Sequence, residues 1–194
     1  MSKKNQLTRT DYLSVEEYQK LVRMLHNDGD VLGETYTRVA KGTALRISDV
    51  LKLTWEKLLN KRFVLNEQKT GKRRNITVSD KTQETFNMLY ELNGRPDKRQ
   101  PIFLNARSGK TYTKQYINRL MKDWKEKYGI SVGNFSSHSF RKSFGREYWD
   151  KSGCTDKALV ALSEIYNHSD ISITRRYLGI RDEELSEVYE VIEV

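Results

Sequence analysis

Residues 166–177 read Tyr166-Asn167-His168-Ser169-Asp170-Ile171-Ser172-Ile173-Thr174-Arg175-Arg176-Tyr177. Thr155 caps a helix that runs through Tyr166, and a shorter helix spans about Asp170 to Tyr177. A histidine and a tyrosine therefore stand nine residues apart with a helix start between them. Just upstream, Ser136 or Ser137 opens a helix to about Lys151. Within it, His138 and Arg141 are three residues apart and share one face, a spacing that lets the pair grip a single phosphate. Phe140, Phe144 and Tyr148 form an apolar stripe on another face, so the helix has one side to bury and a basic side free to work. Taken alone, His-x-x-Arg arises by chance in helices of this composition.

Further toward the N-terminus the pattern stays helical, with one interruption. Thr113 caps a helix whose stripe of Tyr116, Ile117, Leu120, Met121 and Trp124 reads as core, stopping at Gly129. The segment Asn93 to Pro101 holds both prolines and is the most exposed connection, where proteolysis should start. Ser79 opens a helix to about Leu92. Before it, Phe63-Val64-Leu65 and Ile76-Thr77-Val78 are short β-prone runs joined through Thr70-Gly71, a hairpin with Lys69 near its tip. Ser14 and Glu17 form a capping box for a first helix ending near His26, itself a helix-end surface residue. A second helix runs from about Val31 to Gly42, and Ser48 caps a third carrying Val50, Leu51 and Leu53. Arg46 thus sits in the turn before a helix N-terminus. The fold class predicted is mainly α with a small antiparallel β-sheet.

The 194 residues suffice for one well-buried domain, and 37% hydrophobic with 31% charged is the balance of a soluble globular protein. No run approaches the roughly 18 apolar residues of a membrane span, and the polar start lacks a signal-peptide core, so a cytosolic location is expected. The single cysteine, Cys154, excludes an internal disulfide and reads as a small, partly buried thiol. Net charge is +9, but residues 180–194 carry one base against six acids, which leaves +14 on residues 1–179. A body that basic releases counterions from a nucleic-acid backbone.

With Thr43-Ala44-Leu45-Arg46-Ile47-Ser48-Asp49 and the hairpin Lys69-Thr70-Gly71-Lys72, these segments resemble the tyrosine recombinase family of phage integrases and related site-specific recombinases. The likeness runs from about Leu13 to Ile180. The family pattern is an arginine in a Thr-Gly-Leu-Arg-x-x-Glu-like turn, a hairpin lysine, His-x-x-Arg, a Gly-His-Ser segment and a tyrosine nine residues after that histidine. Each functional position is present in that order. The resemblance implies that Tyr177 attacks a DNA phosphodiester while Arg46 and Arg141 bind its non-bridging oxygens. Two fixed guanidinium forks stabilise the charge that grows there. A free tyrosine has a pKa of about 10, and His138 would accept its proton. Lys69 would protonate the departing 5′ oxygen, His168 would donate a hydrogen bond to the phosphate, and Asp49 would orient His138. The product would be a 3′-phosphotyrosyl bond and a free 5′-hydroxyl, made without ATP, metal or other cofactor.

Ala44 and Asn167 stand where the family usually has glycine. Asparagine enters the left-handed region at modest cost, whereas alanine does so poorly, so the turn before Arg46 is expected to differ or not to need that conformation. Many members also carry a separate N-terminal DNA-binding domain, which makes this chain either an excised catalytic domain or a compact recombinase. The division expected is an extension over 1–12, a catalytic domain over 13–180 and a C-terminal helix over 181–194. Double-stranded DNA is the expected partner, met additionally by Lys72, Arg73, Arg74, Lys142, Arg175 and Arg176. Leu185, Val188, Tyr189 and Ile192 give the acidic tail an apolar stripe. It resembles the helix that members pass to a neighbouring protomer, implying a homo-oligomer, a tetramer on DNA. A type IB topoisomerase would use nearly the same residues, and a non-cleaving DNA-binding protein would keep the basic surface alone.

Overall fold

Side chains that precede the helices set where they start. Ser14 accepts a hydrogen bond from the Glu17 N–H, Asp30 from Gly33, Ser79 from Thr82, Thr113 from Tyr116 and Thr155 from Ala158. Each satisfies a donor that the first helical turn leaves without a partner. The computed structural model describes residues 11–180 together with 186, 187 and 189–191. Its elements are α1 Val15–Asn27, α2 Val31–Thr43, α3 Ile47–Val50, α4 Trp55–Leu58, β1 Arg62–Asn66, β2 Arg73–Thr77 and α5 Asp80–Leu92. They continue as β3 Leu104–Asn105, β4 Lys110–Thr111, α6 Lys114–Lys127, α7 Ser137–Lys151, α8 Asp156–Tyr166 and α9 Ile171–Leu178.

The fold class is as the sequence predicts. Strands β1 and β2 pair antiparallel from Arg62 opposite Thr77 to Asn66 opposite Arg73, and β3 and β4 form a second two-stranded ladder. The third helix differs from its expected form: its N-cap is Arg46, Ser48 lies inside it, and it spans four residues. Cys154 is exposed rather than partly buried, at a positive φ of 57°. No helix among the described residues is long and apolar enough to cross a membrane. Of the expected extension over residues 1–12, only Asp11 and Tyr12 are described. Of the expected tail stripe, Leu185, Val188 and Ile192 lie outside the described residues, while Tyr189 is exposed.

Two apolar clusters organise the interior. The larger draws on α1 through α7, where Phe140 packs edge-on against Tyr36 and Phe135 with ring centroids 6.0 and 5.6 Å apart. The smaller gathers Ala44, Trp149, Ala158, Leu159, Leu162, Tyr166, Leu178 and Ile180 beneath α8 and α9. Helix α7 serves both, with Phe140 in the first and Trp149 in the second, so the residues between them lie at the junction.

At that junction the Tyr166 hydroxyl donates to the Arg141 carbonyl at 2.8 Å. It reaches that far because residue 145 is glycine: a Cβ there would lie 2.1 Å from the Tyr166 oxygen and 2.8 Å from Leu178 Cδ2. Alanine favours an exposed helix over glycine by about 1 kcal/mol, but this overlap decides the sign. Gly145→Ala is expected to lower unfolding free energy by about 1–3 kcal/mol, the usual cost of overpacking. Urea denaturation measures it, and a rise in the midpoint would contradict the packing.

Candidate active site

The site is assembled around two helix ends that terminate in left-handed residues. Helix α2 ends at Ala44 (φ 50°, ψ 31°) and α8 at Asn167 (φ 56°, ψ 38°). The turn before Arg46 therefore does need the conformation that alanine adopts poorly. Two things hold Ala44 there: its side chain is fully buried in the smaller core, and its carbonyl accepts from Arg141 Nη1 at 2.5 Å and Arg74 Nη1 at 3.4 Å. Arg141, only 3% exposed on α7, spans the two ends, because its Nη2 donates to the Tyr166 carbonyl at 3.0 Å. Its guanidinium also lies 4.4 Å from the centroid of the Tyr166 ring. The side of α7 expected to be free thus carries a buried arginine, while His138 on the first turn is exposed.

Arg46 extends from the α2–α3 turn and donates Nη1 to Glu67 Oε2 at 2.7 Å and Nη2 to the Tyr166 carbonyl at 3.3 Å. Glu67 is a residue that reading the sequence missed. It is 1% exposed, and the same Oε2 accepts from Thr70 Oγ1 at 2.9 Å and Asn167 Nδ2 at 3.4 Å, with Arg74 Nη1 3.5 Å from Oε1. Burial opposes its charge, yet these donors and Arg46 hold its pKa below the usual carboxylate range. The available signal was its isolation as the one acid between Lys61 and Ser79.

Strand parity corrects Arg74. Residues Arg74 and Ile76 alternate inward along β2 while Arg73, Asn75 and Thr77 face out. Arg74 is buried, donating also to the Thr43 carbonyl at 3.2 Å, and burial pulls its pKa down to about 10. It is a strut beneath the site, buried where the sequence reading expects an exposed cation. Lys142 is likewise buried, its Nζ 5.5 Å from the centroid of the Tyr177 ring. Lys72, Arg73 and Arg176 are exposed and Arg175 is half-buried. Asp49 does not bond His138. Its Oδ1 accepts from the Gln68 N–H at 2.9 Å and so ties the hairpin root to α3.

Lys69 and His138 both line an open cleft of about 770 Å³, together with Arg46, Ser48, Lys114, Asn118 and Lys122. Desolvation first, then Arg141, Arg46, Lys69 and Lys142, lower the His138 pKa, which leaves the imidazole neutral and able to accept a proton. His168 is pushed down to about 4 by desolvation and the two arginines. Its Nδ1 lies 2.9 Å from Thr174 Oγ1. Tyr177, near the end of α9, packs edge-on against Tyr166 and His168 with centroids 5.3 and 5.6 Å away. Its hydroxyl is buried, with the Arg141 guanidinium as its polar neighbour. Burial raises its pKa to about 12 against the pull of Arg141 and Arg46. Arg46 joins the two groups: it lines the cleft with Lys69 and His138, and with Arg141 it acts on both His168 and Tyr177. Among the described residues no three His, Cys, Asp or Glu side chains form a metal-holding group.

The model of the phage integrase family matches residues 11–184. The probable integrase/recombinase YoeC of Bacillus subtilis (strain 168) is 29% identical over 150 residues, covering 77% of this chain and 78% of that protein. Tyrosine recombinase XerC of Proteus mirabilis is 25% identical over 183 residues, 92% of this chain but 57% of its own length. Among solved structures, XerA recombinase superposes with a TM-score of 0.70 at 18% identity, over 97% of this chain and 68% of that one. The XerH site-specific recombinase bound to a palindromic difH substrate gives 0.69 at 16%, over 96% and 55%.

A left-handed non-glycine residue costs about 1–2 kcal/mol, and a glycine returns part of that as unfolded-chain entropy. Ala44→Gly is therefore expected to raise stability by about 0.5–1 kcal/mol. A urea midpoint at or below that of the parent would mean that burial of the Ala44 methyl outweighs its strain.

Proposed function

We propose, because this chain belongs to the phage integrase family and has the tyrosine recombinase catalytic fold, that it is a site-specific recombinase cleaving and rejoining DNA through Tyr177. The observation that carries this reading is the relation of Tyr177 to Arg46 and Arg141: a buried phenol under the pull of two guanidiniums, Arg141 fixed by two carbonyl oxygens and Arg46 held by Glu67 and the Tyr166 carbonyl. In the proposed step the Tyr177 oxygen attacks phosphorus and the bond to the 5′ oxygen breaks. His138 takes the phenolic proton and Lys69 supplies one to the leaving oxygen. Arg46 and Arg141 hold the non-bridging oxygens, where fixed donors need no reorganisation as charge grows, and His168 donates a hydrogen bond to the phosphate. The 3′-phosphotyrosyl bond conserves the energy of the phosphodiester, so rejoining needs no ATP, and the chemistry needs no metal.

With its pKa pushed up to about 12, the Tyr177 phenol is protonated at neutral pH, and in the proposed step that proton passes to His138. Binding of DNA rests on the basic surface instead, which separates the two functions. Tyr177→Phe is expected to abolish a covalent protein–DNA adduct on nicked duplex while leaving DNA affinity nearly unchanged. Arg141→Ala should slow adduct formation by at least about a hundredfold, and EDTA should change neither. An adduct formed by the phenylalanine variant would rule out Tyr177 as nucleophile.

The acidic tail belongs to the same proposal. Six acids on residues 180–194 are repelled by phosphate, so an apolar stripe among them is best covered by protein, and a neighbouring protomer on DNA is the partner proposed. Removing Asp182 to Val194 is expected to weaken assembly of multimers on DNA and strand exchange more than binding of one protomer. Native gels and an exchange assay separate these, and normal exchange by the truncated chain would dismiss the role.

A further inference from the structure

Three guanidiniums meet beneath the cleft, and they are not held alike. Arg74 donates to the Thr43 and Ala44 carbonyls and Arg141 to the Ala44 and Tyr166 carbonyls, so the backbone sets both positions. Arg46 has one contact to backbone, the 3.3 Å bond to a Tyr166 carbonyl it shares with Arg141, and its short bond is the 2.7 Å one to Glu67. The carboxylate is itself fixed. Three donors from three segments converge on its Oε2: Arg46 from the α2–α3 turn, Thr70 from the hairpin tip and Asn167 from the turn before His168. It cannot rotate without losing all three.

We infer that Glu67 is a positioning residue for strand cleavage, which holds the Arg46 guanidinium at the place where the scissile phosphate is bound. The inference rests on the recombinase reading above. A guanidinium has five N–H donors. Glu67 and Tyr166 take one each, so three remain for a phosphate, and the carboxylate stays buried beneath the arginine. Without it, Arg46 would be left beside two like charges, Arg74 and Arg141, on a flexible stem with the open cleft to swing into. The loss would fall on the geometry of the transition state, since binding draws on the whole basic surface.

The test is single-turnover adduct formation on nicked duplex at saturating DNA, beside a binding isotherm, for the parent, Glu67→Gln, Glu67→Asp, Arg46→Ala and the Arg46→Ala double variants. Glu67→Gln is expected to slow cleavage by at least about tenfold, the order that a small misplacement costs. Its dissociation constant should stay within about threefold, as counterion release is shared among many basic groups. Glu67→Asp keeps the buried charge but withdraws the carboxylate, so it should also be slow, and it carries the test if the glutamine variant does not fold. In the Arg46→Ala background either change should slow cleavage by less than about twofold, because residues that act through one another are not additive. Full additivity, an aspartate variant as fast as the parent, or a loss confined to binding would each overturn the assignment. A parent protein that forms no adduct defeats the recombinase reading and this inference together, which distinguishes that failure from one confined to Glu67.

Discussion

A buried guanidinium must have its donors met, and in this protein the demand of Arg141 brings the catalytic segments together. Its two terminal nitrogens take carbonyls from the ends of α2 and α8, helices far apart in sequence. Both helix ends turn into the left-handed region at the residue that leaves those oxygens exposed to it. The same carbonyl of Tyr166 then serves Arg46. A lysine could not replace Arg141, because a single ammonium lacks the planar fork that spans two acceptors. The guanidinium charge at the candidate site is thus positioned by the groups that pin the fold.

Much of this was legible in the sequence because local chemistry determines it. Ser14, Ser79, Thr113, Ser136 and Thr155 announce helix starts through side-chain oxygens, and each is an N-cap in the structure. The order of Arg46, Lys69, His138, Arg141, His168 and Tyr177 marks the candidate site in the sequence through its resemblance to the tyrosine recombinase pattern. The four-residue helix Trp55–Leu58 and the two-residue strands β3 and β4 were not foreseen, since segments that short have too few residues for a periodicity to emerge.

The misreadings share a physical cause. Arg74 and Lys142 were assigned outward by charge, but their neighbours on strand and helix place them inward, and position along an element overrides residue type. Ala44 was judged by its intrinsic preference, which burial and two arginine donors outweigh. Asp49 was given a role by its place in a motif, yet its oxygen bonds the Gln68 N–H. Glu67 stood in plain view, and its value depends on three partners that lie as many as 100 residues away.

The division of the interior into a large core and a small one has a consequence for how the molecule fails. Free energy of local opening follows the apolar contacts broken, so a segment resting on a small cluster opens before the body does. Tyr177 lies on that small cluster with α8 and α9, while Lys69 and His138 belong to elements packed on the large one. Warming should therefore release Tyr177 while the hairpin and α1–α6 still exchange their amide hydrogens slowly. In such a molecule the candidate site comes apart before the body melts, and its heat lability reports on α8 and α9 rather than on the whole chain.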